Sequence, residues 1–229
     1  HQINLLWLIS HPDDVSTAEL SGYDHVYCAS AYHCELLSRS YGLRVEFLPQ
    51  GVDPSRFNFV PERVNSRPKR VLFVGNSRGV FRDCVKWAVE KGLDIDIYGN
   101  GWEPFISDQR LKGRLLPNEV LGEAYASSKY VLCDHWEDMK QLGYVSNRVF
   151  DVLAAGGMVL VDNVKGIHEL VPSGYTIFHD ADEFENLISK PARLDLEERK
   201  KTADWVVRHH SFAARADTID AQIRGMYKR

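Results

Sequence analysis

The stretch of this 229-residue chain best equipped for chemistry is His11-Pro12-Asp13-Asp14. An imidazole and two carboxylates within four residues suit either of two tasks: holding a divalent metal, or taking a proton from a hydroxyl. Other stretches have the make-up of ligand contacts. Gly75-Asn76-Ser77-Arg78-Gly79 has glycines that allow close backbone approach and an arginine whose planar guanidinium pairs with phosphate. The N–H groups of a helix starting just after it can face an anion. Ser146-Asn147-Arg148 stands where a second helix would begin, with Asp151 on the same polar side. Val145, Val149, Val152 and Leu153 form the apolar stripe of that helix. Asp134-His135-Trp136-Glu137-Asp138 collects carboxylates, which accept hydrogen bonds from hydroxyls. In Tyr98-Gly99-Asn100-Gly101-Trp102, the indole either stacks on a planar ring or packs in the core. Each stretch also has a plain alternative: Asp13 or Asp14 capping a helix, Arg78 and Asp151 solvated, the 134–138 acids in an open loop.

The elements that must carry these groups alternate between strand and helix. Apolar runs bounded by turn formers predict strands at 3–9, 25–30 and 45–49. Between them, helices are expected at 15–20 and 31–41, the second stopped by Gly42. Residues 52–69 are polar, hold three prolines and lack a period, so they read as a linker. A second series follows, with strands at 70–74, 95–98, 130–133 and 158–161 and helices at 80–91, 118–127, 146–155 and 181–189. Phe212, Ala216, Ile219, Ile223 and Met226 recur as one apolar face of a final helix. The fold class is α/β with parallel strands, divided at 1–60, 61–211 and 212–229, the last helix packing back on the first region. Lys165 to Leu170 reads as a structural turn, and the 197–201 charge run as a solvated helix face.

Composition narrows the class. Twenty-eight basic against 32 acidic residues give a net charge of −4 with no basic block, so no nucleic-acid partner is expected. No apolar run reaches the roughly 20 residues that span a bilayer. Cys28, Cys34, Cys84 and Cys133 form no CxxC pair and read as reduced, buried thiols, which points to a cytoplasmic location. The start, His1-Gln2-Ile3-Asn4, has neither methionine nor signal pattern and reads as a cut within a longer chain.

The His-Pro-Asp-Asp string resembles the zinc signature of the LmbE-like N-deacetylases. That family needs a third, distant His ligand, and only His209 and His210 are close together in this sequence. Val15 also stands where the signature carries an acid. The zinc reading is therefore the least favoured, and no metal is expected.

A second resemblance covers more of the chain. The segments Trp7-Leu-Ile-Ser-His-Pro-Asp-Asp, Tyr23-Asp-His-Val-Tyr-Cys-Ala-Ser, Leu72-Phe-Val-Gly-Asn-Ser-Arg-Gly, Tyr98-Gly-Asn-Gly-Trp-Glu, Asp134-His-Trp-Glu-Asp-Met and Gly143-Tyr-Val-Ser-Asn-Arg-Val-Phe-Asp-Val-Leu-Ala-Ala-Gly-Gly resemble the CgeB-like glycosyltransferases, in order, from about Trp7 to Phe184. The resemblance implies a GT-B fold: two Rossmann-like regions across a cleft, the second complete and the first partial, since 1–60 has room for only about three strands. It implies transfer of a hexose from a nucleoside diphosphate sugar to a glycan or protein acceptor in polysaccharide biosynthesis. That sugar is a substrate, and no cofactor is implied. Donor contacts would come from Gly75, Asn76, Ser77, Arg78, Tyr98, Gly99, Gly101, Trp102, Asp134, His135, Glu137, Asp138, Ser146, Asn147, Arg148 and Asp151. Of these, Asp151 would accept the ribose hydroxyls, at a position where related enzymes more often carry the longer Glu. His11, Asp13 and Asp14 would supply the general base. A module that binds nucleotide or sugar without catalysis is the alternative.

Overall fold

The computed structural model describes residues 2–64, 70–107, 109–190 and 195–226. The first region runs β1 (Leu5–Leu8), α1 (Thr17–Leu20), β2 (His25–Cys28), α2 (Ala31–Tyr41) and β3 (Val45–Phe47). Its strands form a parallel sheet in the order β1-β2-β3. Ser16 caps α1 by accepting the Glu19 N–H at 3.1 Å, so neither Asp13 nor Asp14 is the cap. Ser30 caps α2, and Gly42 ends it in the left-handed conformation.

The stretch read as a linker is more than that: Val52 and Phe57 are buried, and Phe57 stacks on Tyr125 at 5.8 Å. A short 3₁₀ turn occupies Pro61–Arg63. Part of the predicted linker, 65–69, lies outside the described residues.

The second region continues with β4 (Val71–Val74), α3 (Asp83–Glu90), β5 (Ile95–Tyr98), β6 (Leu111–Gly113), α4 (Asn118–Ser127), β7 (Tyr130–Cys133), α5 (Glu137–Leu142) and α6 (Asn147–Ala154). It closes with β8 (Val159–Asp162), α7 (Ile167–Leu170), β9 (Tyr175–Phe178), α8 (Ala181–Ser189) and α9 (Leu196–His210). Six parallel strands lie in the order β6-β5-β4-β7-β8-β9. Because side chains alternate along a strand, the sheet feeds a core on each face. Leu72, Val131, Cys133, Val159 and Val161 enter one cluster; Val71, Phe73, Tyr130, Leu132 and Leu160 enter the other. The helix expected from residue 80 begins only at Asp83, because Arg78 and Gly79 both take positive φ and break the helical path.

The final helix, α10 (Phe212–Met226), leads back to the first region. Val52 pairs with Ser211, Arg215 donates to the carbonyls of Pro49 (2.7 Å) and Gln50 (3.0 Å), and Gln222 lies 3.3 Å from His25. The inward side of this helix differs from the sequence reading. Arg215 is its buried residue, whereas Phe212 and Ala216 are exposed, because the carbonyls at 49 and 50 are met by a guanidinium and not by an apolar stripe. Among the described residues no helix is long and apolar enough to cross a membrane.

Candidate active site

In an open parallel sheet a ligand sits beyond the carboxyl ends of the strands, where successive connections diverge to opposite sides. Here that point lies between β4 and β7: chain order runs one way through β5 and β6 and the other through β8 and β9. A cleft of about 420 Å³ opens there. Its second-region wall includes Gly75, Asn76, Arg78, Ser146, Asn147 and Arg148; its first-region wall is Ile9, Ser10, His11 and Gln50.

Backbone strain marks the two residues that meet across it. His11 (φ 47°) and Arg78 (φ 53°) are the non-glycine residues with positive φ among those described. Such residues are uncommon and collect at functional sites. Arg78 Nη1 lies 3.3 Å from His11 Nε2. The cleft thus has one cation from the second region opposed by one imidazole from the first.

Arg148 supplies another cation, its guanidinium 5.6 Å over the Phe73 ring. Gly75 makes room for it: a Cβ there would stand 3.0 Å from Arg148 Nη2. Ser146 caps α6 through its hydroxyl, with Arg148 N–H donating at 3.3 Å, so the helix opens onto the cleft with its partial positive charge outward.

The glycine-rich loops of β4 and β5 are bound to each other. Gly75 N–H donates to Tyr98 O at 2.8 Å, Ser77 N–H to Asn100 O at 3.0 Å and Asn100 N–H to Asn76 Oδ1 at 2.8 Å. Gly99 has φ 151°, and a Cβ on it would fall 2.0 Å from Gly75 O, so only glycine fits. This geometry corrects several donor contacts expected from sequence. Ser77 is buried, its hydroxyl bonded to Gly101 O. Trp102 is wholly buried, edge-on to Phe73 at 5.5 Å, with Nε1–H donating to Gly75 O at 2.8 Å. Tyr98 is half-buried against the core. These residues shape the loop and do not line the cleft.

The 134–138 stretch also differs from an open loop, because α5 begins at Glu137. Asp134 is held by Arg82 through Nε at 2.8 Å and Nη2 at 2.5 Å, and Arg82 lies 5.3 Å over Trp136. His135 is a strut: Nδ1–H donates to Asp162 Oδ1 at 2.6 Å while Nε2 accepts the Ser146 N–H at 2.9 Å. Both side chains line the cleft with protein partners already in place, Arg82 for Asp134 and Asp162 and Ser146 for His135. Glu137 is exposed and pairs with Lys140 at 2.7 Å. Asp138 has its carboxyl pushed up by burial and by the neighbouring Asp13. Asp13 and Asp14 are exposed and lie outside the cleft lining, leaving His11 as the expected base that faces it.

Asp151 lies one turn along α6, 3.3 Å from the Asn147 amide. Burial pushes its carboxyl up to about 7, Arg148 opposing and Asp53 adding to the effect. Arg82, Gln50 and Asp162 were not singled out from sequence. The pairings of all three are tertiary, that of Arg82 being with Asp134, 52 residues away, and leave no local signal. Gln50 donates to Ile9 O at 2.9 Å and to Val145 O at 3.5 Å, bridging the regions at the cleft floor. Among the described residues no group of three or more His, Cys, Asp and Glu is placed to hold a metal ion, so the zinc reading has no donor set there.

Known proteins place this geometry. No curated protein sequence matches the chain. Among solved structures it is similar to the sucrose-phosphate synthase of Thermosynechococcus elongatus (TM-score 0.68, 16% identity, 92% of this chain and 60% of that one). It is similar to Anabaena HepE in complex with UDP and glucose (0.66, 13%, 98% and 71%). It also resembles the pneumococcal O-GlcNAc transferase in complex with UDP and GlcNAc (0.61, 12%, 98% and 53%). The chain thus spans roughly half to three quarters of these proteins, and the likeness identifies the fold as GT-B. The family described as glycosyl transferase-like matches residues 78–221, from the strained arginine of the cleft to the returning helix, and the chain belongs to that family.

Proposed function

We propose that this cleft holds a nucleoside diphosphate sugar and transfers its hexose to a hydroxyl of a glycan or protein acceptor, as a CgeB-like glycosyltransferase of the cytoplasm. The observation that carries the reading is the convergence of Arg78, Arg148 and the α6 N-terminus at the β4/β7 switch point, opposite His11. Two guanidiniums and a helix start suit a diphosphate, whose charge grows as the glycosidic bond breaks. In this scheme the arginines offset the leaving group and no metal is needed. Residues 61–211 form the donor side, 1–60 the acceptor side, and 212–229 the tie between them.

His11 then acts on the acceptor hydroxyl, because it alone of the three expected base residues lines the cleft. Two of the similar structures hold UDP, which makes UDP-sugars the donors to try first. The test is turnover of UDP-sugars by the parent and by His11→Asn, followed as UDP release. A fall of about 10²–10⁴-fold at unchanged UDP affinity supports His11 as base. Binding of UDP with no turnover of any donor would leave a non-catalytic module instead.

A further inference from the structure

The segment just before α6 is gripped by the first region. Tyr144 is wholly buried, and its hydroxyl lies 2.7 Å from His33 Nδ1 and 3.0 Å from Cys28 Sγ. Both partners belong to the first region, Cys28 at the end of β2 and His33 in the first turn of α2. Ser30 Oγ donates to Leu142 O at 2.5 Å, and Gln50 reaches Val145 O. Two residues after Tyr144 comes Ser146, whose N–H is fixed from the other side by His135 and Asp162. The start of α6 therefore hangs between two relays, one from each region.

A hydroxyl with two partners in a dry interior is demanding, because an unmade bond there costs the full desolvation of the group. Phenylalanine would pack equally well, so the tyrosine is explained by the link and not by volume. Cys28 fits the same picture. Its thiol is held below its ordinary range by hydrogen bonding from Cys34, with His33 and Tyr144 adding to the effect against burial.

We infer that Tyr144, through His33 and Cys28, is a positioning residue: it transmits the placement of the first region to Ser146, Asn147 and Arg148, and so sets their readiness for diphosphate. The inference rests on the donor-site reading above, but its first test does not. Amide hydrogen exchange in the nucleotide-free protein should rise about tenfold across residues 144–149 in Tyr144→Phe, with β7 and β8 unaffected. His33→Ala should do the same, and His33→Asn, which keeps a polar atom near Nδ1, should restore protection. Exchange at 144–149 equal to the parent in Tyr144→Phe overturns the inference, whatever the protein binds.

The second test uses UDP in titration calorimetry. Weaker affinity at full stoichiometry in Tyr144→Phe is expected of a positioning role. Full affinity with fewer sites would mark general unfolding and sink it. An Arg148→Ala control separates the two readings: if it too binds UDP like the parent, the diphosphate site is at fault, and the exchange result still stands.

Discussion

The two sheets are built from the same strand-helix unit, yet they bury it differently. In the six-stranded sheet, β7 and β8 are buried at every position, with separate apolar clusters above and below. In the three-stranded sheet only β2 is buried throughout; β1 is largely half-buried, and Phe47 on β3 is 41% exposed. The cluster under β1 and β2 contains Met139 and Tyr144, borrowed from the second region. The difference is one of depth: the six-stranded sheet has a large cluster on each face, one of them joined by Val52 and Phe57, whereas the three-stranded sheet has a small cluster of its own, Leu20, Val26 and Leu37, and one shared across the seam. The cleft thus has one deeply buried wall and one shallow wall, joined at a seam that includes Tyr144.

Identical truncations should expose that asymmetry. Phe150→Ala, at a wholly buried position, should cost about 3–5 kcal/mol in urea unfolding. Phe47→Ala, at an exposed one, should stay within about 0.5 kcal/mol. Equal losses would erase the distinction.

The seam should weaken in acid. His210 donates through Nε2 to Leu170 O at 2.8 Å, and burial, then Arg215, push its pKa down to about 4. The unfolded imidazole titrates near 6.5, so below that pH the unfolded chain takes up a proton that the fold refuses. Its contribution to stability is complete above pH ~6.5 and declines toward pH ~4, with a slope of at most about 1.4 kcal/mol per unit. The slope difference between parent and His210→Gln in acid unfolding measures it; identical slopes would remove His210 from the account.

Asp151 offers a smaller effect of opposite sign. Its raised carboxyl means that the fold holds a proton the unfolded chain releases, so this group favours the fold less as pH rises from about 4 to about 7. If Asp151 accepts the ribose hydroxyls, they donate to its ionised form and UDP affinity should increase severalfold on passing pH 7. Asp151→Asn should flatten that increase, and a pH-independent affinity in the parent would contradict the ribose role.

The smallest effect is expected on the shallow wall. Asp13→Asn and Asp14→Asn should leave UDP affinity within about 0.5 kcal/mol of the parent, because neither carboxylate lines the cleft. A large loss would place these two carboxylates in nucleotide binding.

Much of the fold was legible because period and punctuation agreed: α2, α4 and α8 and strands β5 and β7 stand where the sequence predicts them. Elements without such signals escaped. Helix α5 has six residues and no side-chain cap, β6 has three residues, and β9 is mostly half-buried. At the site, the placement of Ser146 and Arg148 could be read because they sit at a helix start. The partners of Asp134 and His135 are 52 and 27 residues away, and no local pattern announces a tertiary pair.

Titration calorimetry of the parent and of Arg148→Ala with UDP decides whether the β4/β7 switch point binds a diphosphate through Arg148 and Arg78. Arg148→Ala should lose about 1.5–3 kcal/mol of binding while its unfolding midpoint stays close to the parent's. Equal UDP affinity in the two proteins would contradict it.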